Sequence, residues 1–175
     1  MNAEQVPYKV VSCSATFGVF TQEPLRRLED AGCSVWLNPY GRVLTKAEIL
    51  EYAYDADAVI VGNDEFGADV IRALPNLKMI ARHGSGVNKI GYHEALKRGI
   101  VVTYTPGANA EETADLTFVL ILDLERHVTL MNEELKRDVW KKRAGHSLYG
   151  KTIGIIGVGA IGTAVARRAM GFGTD

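Results

Sequence analysis

Three closely spaced glycines, Gly157, Gly159 and Gly162, follow an apolar run near the end of the 175-residue chain. Glycines spaced as G-x-G-x-x-G permit a tight turn at the first position, close approach of the backbone to a pyrophosphate at the second, and close packing of a helix on a strand at the third. The context fits, because 153–156 is apolar and β-branched and 163–172 contains no helix breaker before position 171. The pattern predicts a strand, a phosphate-binding turn and a helix.

The acidic residue that usually accompanies this motif has no counterpart. In dinucleotide-binding domains an Asp or Glu about 20 residues further on binds the ribose hydroxyls. Thirteen residues follow Gly162. We therefore expect the motif to open a domain that these residues do not finish, and the sequence leaves both NAD and NADP open.

A second glycine-rich segment, 82–88, reads Arg-His-Gly-Ser-Gly-Val-Asn and follows a predicted buried strand. Ligands of open α/β sheets bind at the carboxyl ends of the strands, where this loop lies. Successive N–H groups of Gly84, Ser85 and Gly86 can form a concave site for a carboxylate or a phosphate. A plain glycine-rich turn between a strand and a helix is the alternative interpretation.

Two other features lie near the same predicted edge. The segment Thr105–Asn109 follows the last predicted strand. Either it lines the ligand crevice at the carboxyl ends of the strands, or it is a simple strand-to-helix turn. Of the four histidines only His83 is in a candidate loop, and none has a partner at zinc-binding spacing. We favour a packing or surface role for His83 and expect no metal site.

The composition is that of a soluble globular protein, since 47% hydrophobic and 23% charged residues suffice for a packed core. A net charge of −1 argues against nucleic acid or an anionic membrane as partner, and the basic segment 136–143 is expected to be a solvated face. No apolar run approaches the ~20 residues that span a bilayer. Cys13 and Cys33 are too few for a disulfide framework, so we expect two small buried side chains in a reducing cytoplasm.

Strand-like and helix-like segments alternate along the first hundred residues. The predicted strands are 8–13, 34–37, 58–61, 77–81 and 100–104, and the predicted helices are 23–31, 46–54, 68–74 and 92–98. Thr45 and Glu48 form a capping-box pattern at the second helix. This alternation predicts an α/β fold, an open parallel sheet with helices on both faces.

The alternation stops after position 105, where a long helix is predicted from Ala110 to Met131, with Asn109 and Glu112 as its capping pair. The middle of this helix is apolar almost all round. One sheet face cannot cover such a helix, so we expect it to lie between two packed bodies and to mark the domain boundary.

Three segments, 81–87, 103–110 and 150–162, together resemble the D-isomer-specific 2-hydroxyacid dehydrogenases, the family that includes phosphoglycerate dehydrogenase. The resemblance implies an NAD-dependent oxidoreductase with a flavodoxin-like substrate domain over residues 1–105. Linking helices would occupy 106–150, and an incomplete NAD-binding Rossmann domain would start at 151–175. Family members pair through the region of the long helix, which implies a homodimer.

The resemblance also assigns roles to particular residues. Ser85 and Gly86, next to Gly84, would hold the carboxylate of a small 2-oxo or 2-hydroxy acid through their N–H groups. Ala160 and Ile161 would contact the cofactor pyrophosphate, and Thr117 would lie near the nicotinamide.

The chain departs from the family pattern in two respects. Asn88, Lys89 and Gly91 stand where members usually carry Asp-Asn and a further Asp. The family's catalytic Arg, its Glu or Asp, and its His lie downstream of the glycine turn and match no residue here. No catalytic residue is therefore assigned, and we expect this chain alone to be inactive and to bind NAD weakly or not at all. Two alternatives remain: a noncatalytic dimerising module, and one half of a split dehydrogenase.

Overall fold

The computed structural model describes residues 8–175, which form five β-strands and seven α-helices. The strands are β1 (Tyr8–Ser12), β2 (Cys33–Trp36), β3 (Ala58–Val61), β4 (Met79–Arg82) and β5 (Val101–Thr103). The helices are α1 (Glu23–Asp30), α2 (Lys46–Tyr52), α3 (Ala68–Ala73), α4 (Tyr92–Lys97), α5 (Ala110–Arg126), α6 (Val128–Leu135) and α7 (Ala160–Gly171). The elements fall into two compact units that meet in sequence between Pro106 and Gly107.

The first unit is built on one sheet whose five strands are all parallel, in the order β2-β1-β3-β4-β5. This strand order is the flavodoxin-like one. In the middle of the sheet Val10 pairs with Ala58, and Val59 with Ile80. The predicted α/β fold with an open parallel sheet is confirmed, and the elements of this unit begin and end within two residues of the predicted positions.

The core of the first unit lies between one face of the sheet and helices α2, α3 and α4. Val11, Val59 and Ile80 on that face pack with Ile49 of α2 and Ile71 of α3, all fully buried. Successive strand residues point to opposite faces. The other face and α1 line an open groove of about 730 Å³, and α1 has no buried residue.

Helix α2 begins with the predicted capping box. The Thr45 hydroxyl accepts a hydrogen bond from the N–H of Glu48 at 3.3 Å, and the Glu48 carboxylate accepts one from the N–H of Thr45 at 2.8 Å. Arg42 donates to both oxygens of the same carboxylate. The cap satisfies two N–H groups that a helix start otherwise leaves without acceptors.

The prediction of one long helix over 110–131 is wrong, because His127 interrupts it with a left-handed backbone, φ 58°. The N–H of His127 donates to the carbonyl of Asp123 at 2.7 Å, and the carboxylate of Asp123 accepts from the N–H of Thr129 at 2.6 Å. Asp123 thus supports the end of α5 and the start of α6. No Gly or Pro marks this break in the sequence.

The predicted capping pair at the start of α5 is also wrong. Asn109 precedes the helix but its side chain accepts no hydrogen bond from it; instead the hydroxyl of Thr113 donates to the Asn109 carbonyl at 2.6 Å. The middle of α5 exposes several large apolar side chains: Leu116, Val119, Leu120 and Leu124. Among residues 8–175, no helix combines the length and apolarity needed to cross a bilayer.

In the second unit, α5 packs against α7. Ala114 and Phe118 of α5 are buried with Ala164 and Val165 of α7, and the rings of Phe118 and Phe172 stack with centroids 5.0 Å apart. Arg168 donates to Glu111 and Asp115 across the same pair of helices. The small residues of α7 permit this close approach.

The segment 153–156 does not form the predicted strand, since no strand is assigned within it. Ile153 and Ile155 pack against the core of the second unit, whereas Ile156 is fully exposed. At the start of the segment, the backbone around residue 152 has the hydrogen-bond pattern of a parallel ladder with Asp175. The N–H of Ile153 donates to the Asp175 carbonyl at 2.9 Å, and the N–H of Asp175 donates to the Lys151 carbonyl at 2.8 Å. Ile153 and Ile155 are half-buried, so one face of the segment packs and the other is exposed.

Candidate functional site

The two loops singled out in the first unit are neighbours at the carboxyl edge of the sheet. β4 leads into 83–88 and β5 into the segment from Tyr104, and the two strands pair with Ala81 opposite Thr103. Beyond the strands the N–H of Thr105 donates to the Gly84 carbonyl at 3.1 Å. The β5 segment therefore anchors the glycine-rich loop.

The loop after β4 presents backbone donors without acceptors. Among residues 8–175, no acceptor lies within hydrogen-bond range of the N–H groups of Ser85 and Gly86. A Cβ added at Gly86 would meet no atom within 4 Å, so space is open at this position. Successive N–H groups without acceptors suit an anion such as a carboxylate.

His83 joins this loop to the end of β1. Its Nδ1 lies 2.9 Å from the Ser14 hydroxyl, and its backbone N–H donates to the Val61 carbonyl at 2.9 Å. Its ring packs edge-on against the ring of Phe17, with the two centroids 5.9 Å apart. The expected packing or surface role for His83 agrees with these contacts and with its exposed position. They also place an imidazole beside the loop of free donors.

Asp64 organises the neighbouring edge at the end of β3. Its carboxylate is buried and accepts hydrogen bonds from the N–H groups of Leu44 at 2.9 Å and Gly62 at 3.0 Å. The backbones of β1 and β3 approach so closely here that a Cβ on Gly62 would lie 3.0 Å from Cα of Ser14. Ser14, Asp64 and His83 line a small polar cavity of about 140 Å³.

The cysteines offer no reactive thiolate at this edge. Cys13 is fully buried at the end of β1, and burial raises the pKa of its thiol to about 12. A thiol that stays protonated at neutral pH is a poor nucleophile and a poor metal ligand. Cys33 is half-buried rather than buried as expected, and both cysteines are free.

The glycine turn of the second unit has the geometry that its spacing predicts. Gly157 has a left-handed backbone with φ 94°, and a Cβ on Gly162 would lie 2.1 Å from the Gly157 carbonyl oxygen, so no larger residue fits there. A Cβ on Gly159 would instead meet open space. The turn is tightly packed between Gly157 and Gly162 and is accessible at Gly159.

Helix α7 starts directly after this turn with unsatisfied donors. Gly159 is its N-cap without a side-chain bond, its first turn has no acidic residue, and within 8–175 the N–H groups of Ala160 and Ile161 have no acceptor. A helix N-terminus of this kind binds phosphate well. These residues fit the pyrophosphate of a dinucleotide.

Thr117 lies on α5, where its hydroxyl donates to the Thr113 carbonyl at 2.8 Å. The donor capacity of this hydroxyl is therefore used inside the helix. Its oxygen retains lone pairs as an acceptor. Its expected place near the nicotinamide stays a prediction.

Sequence reasoning gave no role to Arg82, Asn63, Asp64 or Ser14, although all four organise the sheet edge. Arg82 donates to two carbonyls of the glycine-rich loop and to the Asn63 side chain. A long basic side chain directly before a glycine-rich loop was the available signal for Arg82. Contacts between residues tens of positions apart carried no signal in a single sequence.

Comparison with known proteins identifies the family. Residues 14–174 match the family described as D-isomer specific 2-hydroxyacid dehydrogenase, catalytic domain. The chain is 40% identical over 136 residues to a glyoxylate reductase of Korarchaeum cryptofilum and 41% identical over 133 residues to a hydroxypyruvate reductase of Thermotoga maritima. Each match covers 74% of this chain but only 41% and 44% of the relative, so the chain spans less than half of their length.

A solved structure gives the same result. The crystal structure of a putative NAD-binding D-isomer specific 2-hydroxyacid dehydrogenase from Polaromonas sp. JS6 66 matches with a TM-score of 0.84 and 30% identity, over 96% of this chain and 53% of that one. The resemblance noted from the three sequence motifs is thereby confirmed. The chain belongs to the D-isomer specific 2-hydroxyacid dehydrogenase family.

Proposed function

We propose that this chain is the N-terminal portion of an NAD(P)-dependent oxidoreductase that acts on the CH–OH group of a D-2-hydroxy acid or on the corresponding 2-oxo acid. The observation that carries the proposal is the loop after β4, where the N–H groups of Ser85 and Gly86 have no acceptor among residues 8–175 and a Cβ on Gly86 would meet open space. A substrate carboxylate supplies the acceptors that these groups lack. Family membership supports the reaction class.

In this proposal residues 1–105 form the substrate domain, 106–150 the linking helices, and 151–175 the start of the NAD-binding domain. The five-stranded sheet and its carboxyl edge support the first assignment. The glycine turn and the start of α7 support the third.

The cofactor assigned to the second unit is NAD, with NADP as the alternative. Gly157 and Gly162 shape the turn, Gly159 admits the pyrophosphate, and Ala160 and Ile161 bind it through their N–H groups, while Thr117 lies on the nicotinamide side. The nicotinamide supplies hydride transfer to or from C2 of the substrate. We expect weak binding or none by this chain, because the ribose-binding acid matches no residue in it.

The 175-residue chain is expected to turn over no substrate by itself. The family's catalytic Arg, acidic residue and His match no residue here, so the chain lacks the family's groups that polarise the substrate carbonyl and exchange a proton with its oxygen. Binding of the 2-oxo or 2-hydroxy acid substrate and its chemical conversion are thus separate properties. The chain should retain the first and lack the second.

Titration of the ¹⁵N-labelled chain with glyoxylate tests the proposal. We expect the amide signals of Ser85 and Gly86 to shift saturably, while acetamide, which has no charge, shifts neither. The absence of saturable shifts at these two amides would overturn the substrate site. Consumption of NADH with glyoxylate or hydroxypyruvate would overturn only the expected inactivity.

A homodimer in a reducing cytoplasm completes the proposal. The large apolar side chains that α5 exposes, Leu116, Val119, Leu120 and Leu124, support an interface with a second copy of this chain. Free Cys13 and Cys33 agree with a reducing compartment. The oligomeric state of a Leu120→Glu variant tests this interface.

A further inference from the structure

The guanidinium of Arg82 lies inside the glycine-rich loop that it precedes. Nε donates to the Gly86 carbonyl at 2.9 Å, and Nη1 donates to the carbonyls of His83 at 2.5 Å and Val61 at 3.3 Å. Nη2 donates to the side-chain oxygen of Asn63 at 3.1 Å. One planar group therefore links four acceptors from the loop and from the ends of β3 and β4.

The shape of the loop depends on this group. A Cβ on Gly84 would lie 2.7 Å from Nη1 and 2.9 Å from Cζ of Arg82, so the guanidinium occupies the space that a side chain would need. Gly84 also has φ 151°, which other residues rarely adopt. The guanidinium of Arg82 can therefore take this position only because residue 84 is a glycine.

The arrangement determines where the loop's N–H groups point. In a trans peptide the carbonyl and the following N–H point in opposite directions. Thr105 holds the Gly84 carbonyl, which directs the N–H of Ser85 away from β5, and Arg82 holds the Gly86 carbonyl. The peptide between Ser85 and Gly86 therefore lies between two peptides whose carbonyls are hydrogen-bonded. These two hydrogen bonds restrict the orientation of the Gly86 N–H.

We propose that Arg82 is a positioning residue for the substrate carboxylate: its guanidinium fixes the carbonyls of His83 and Gly86 so that the N–H groups of Ser85 and Gly86 are preorganised as donors. This inference rests on the proposed function. Donors held in place before binding cost little ordering entropy when the carboxylate arrives, and affinity rises accordingly. Lysine keeps the positive charge but lacks the planar fork that reaches several acceptors.

The substitution Arg82→Lys therefore separates charge from geometry. In the glyoxylate titration we expect Arg82→Lys to weaken the apparent affinity measured at Ser85 and Gly86 by about tenfold, the effect of losing one charge-assisted hydrogen-bonding group. The control Arg72→Lys alters an exposed arginine, which makes an ion pair with Glu94 on α4, and should bind glyoxylate like the unaltered chain. Equal affinity in Arg82→Lys and the unaltered chain would overturn the inference.

A second measurement needs no ligand. The Nε–H of Arg82, bonded to Gly86, should exchange with water much more slowly than the Nε–H of Arg72, which pairs through Nη1. Gly84→Ala should abolish that protection, because its Cβ displaces the guanidinium. Equal exchange rates at the two arginines would overturn the positioning role even where Arg82→Lys is too unstable to titrate. If glyoxylate fails to bind the unaltered chain, the proposed function fails, and the exchange rates still decide whether Arg82 holds the loop.

Discussion

The hydroxyl of Ser14 lies 2.9 Å from Nδ1 of His83, although 69 positions separate the two residues in sequence. Ser14 follows β1 and His83 follows β4, and β3 lies between these strands in the sheet. The contact therefore spans the carboxyl edge at its centre. It connects the glycine-rich loop after β4 to the segment that follows β1.

Ser14→Ala should remove this tie and leave the fold intact. Ser14 is buried, and loss of one such hydrogen bond costs about 1 kcal/mol of unfolding free energy. The ¹⁵N shifts of the His83 ring should move as well, because Nδ1 loses its partner. Urea unfolding and ring ¹⁵N spectra check both effects. The control is Ser34→Ala on the half-buried strand β2, which loses only an exposed hydrogen bond from Trp36 Nε1 and should leave the His83 ring shifts unchanged. Unchanged ring shifts would show that the contact does not exist in solution.

Gly162→Ala should destabilise the second unit. The added Cβ would lie 2.1 Å from the Gly157 carbonyl oxygen, within backbone that cannot move without opening the turn. We expect a loss of about 2 kcal/mol or more from this overpacking. Thermal unfolding followed by amide signals of α7 measures it.

The matched control is Gly171→Ala in the last turn of the same helix, where a Cβ meets no atom within 4 Å. Alanine is the better helix former, so this variant should be as stable as the unaltered chain or slightly more stable. Equal stability of the two alanine variants would contradict the close packing at Gly162.

Stability should fall in acid partly through Glu48. Hydrogen bonds from Arg42, and then from the Thr45 N–H, lower the pKa of its carboxyl from 4.5 to about 2. Because the folded-state pKa is the lower one, the stabilising effect is complete above pH 4.5 and is lost as the pH falls from 4.5 towards 2. The unaltered chain should therefore exceed Glu48→Gln in stability at neutral pH, by a margin that shrinks over this interval.

Urea midpoints across a pH series measure that margin. Gln retains an acceptor for the helix cap but not the charge that pairs with Arg42. Glu51→Gln, on the same helix, removes a carboxylate that forms no ion pair among residues 8–175 and should leave the pH profile unchanged. A margin for Glu48→Gln that stays constant with pH would rule out the pKa difference as its cause.

Leu120→Glu should weaken self-association. Leu120 is 63% exposed on α5, and a buried charge at an apolar interface is costly. Leu96→Glu is the control, because Leu96 is also 63% exposed but lies on α4 of the first unit. Sedimentation velocity should show a dimer for the unaltered chain and Leu96→Glu and a monomer for Leu120→Glu. A monomeric unaltered chain would refute the proposed homodimer.

Much of the fold follows from local patterns. The apolar strand 58–61, the capping pair Thr45 and Glu48, and the breakers after each helix lie within a few residues of the structure they specify, so a single sequence reveals them. The glycine spacing at 157–162 is equally local, and its tight turn and close helix packing were predicted. Family membership followed from three such motifs in order.

Errors arose where apolar periodicity hides a break or where a distant partner decides. At the break in the long helix Asp123 accepts hydrogen bonds from the N–H groups of His127 and Thr129, which apolar periodicity does not reveal. The segment 153–156 has the residues of a strand, yet a strand exists only when a neighbouring strand pairs with it. Its composition alone could not supply that partner.

The sequence by itself determined the order of strands and helices in the first unit, the two glycine-rich loops and the family, because propensity, capping and turn geometry depend on residues close in the chain. Tertiary structure alone decided that Ser14 meets His83 and that the guanidinium of Arg82 holds the carbonyls beside Ser85 and Gly86. Parallel strands bring residues from distant loops to one edge of the sheet. Which side chains then bond is decided by distances that exist only after folding.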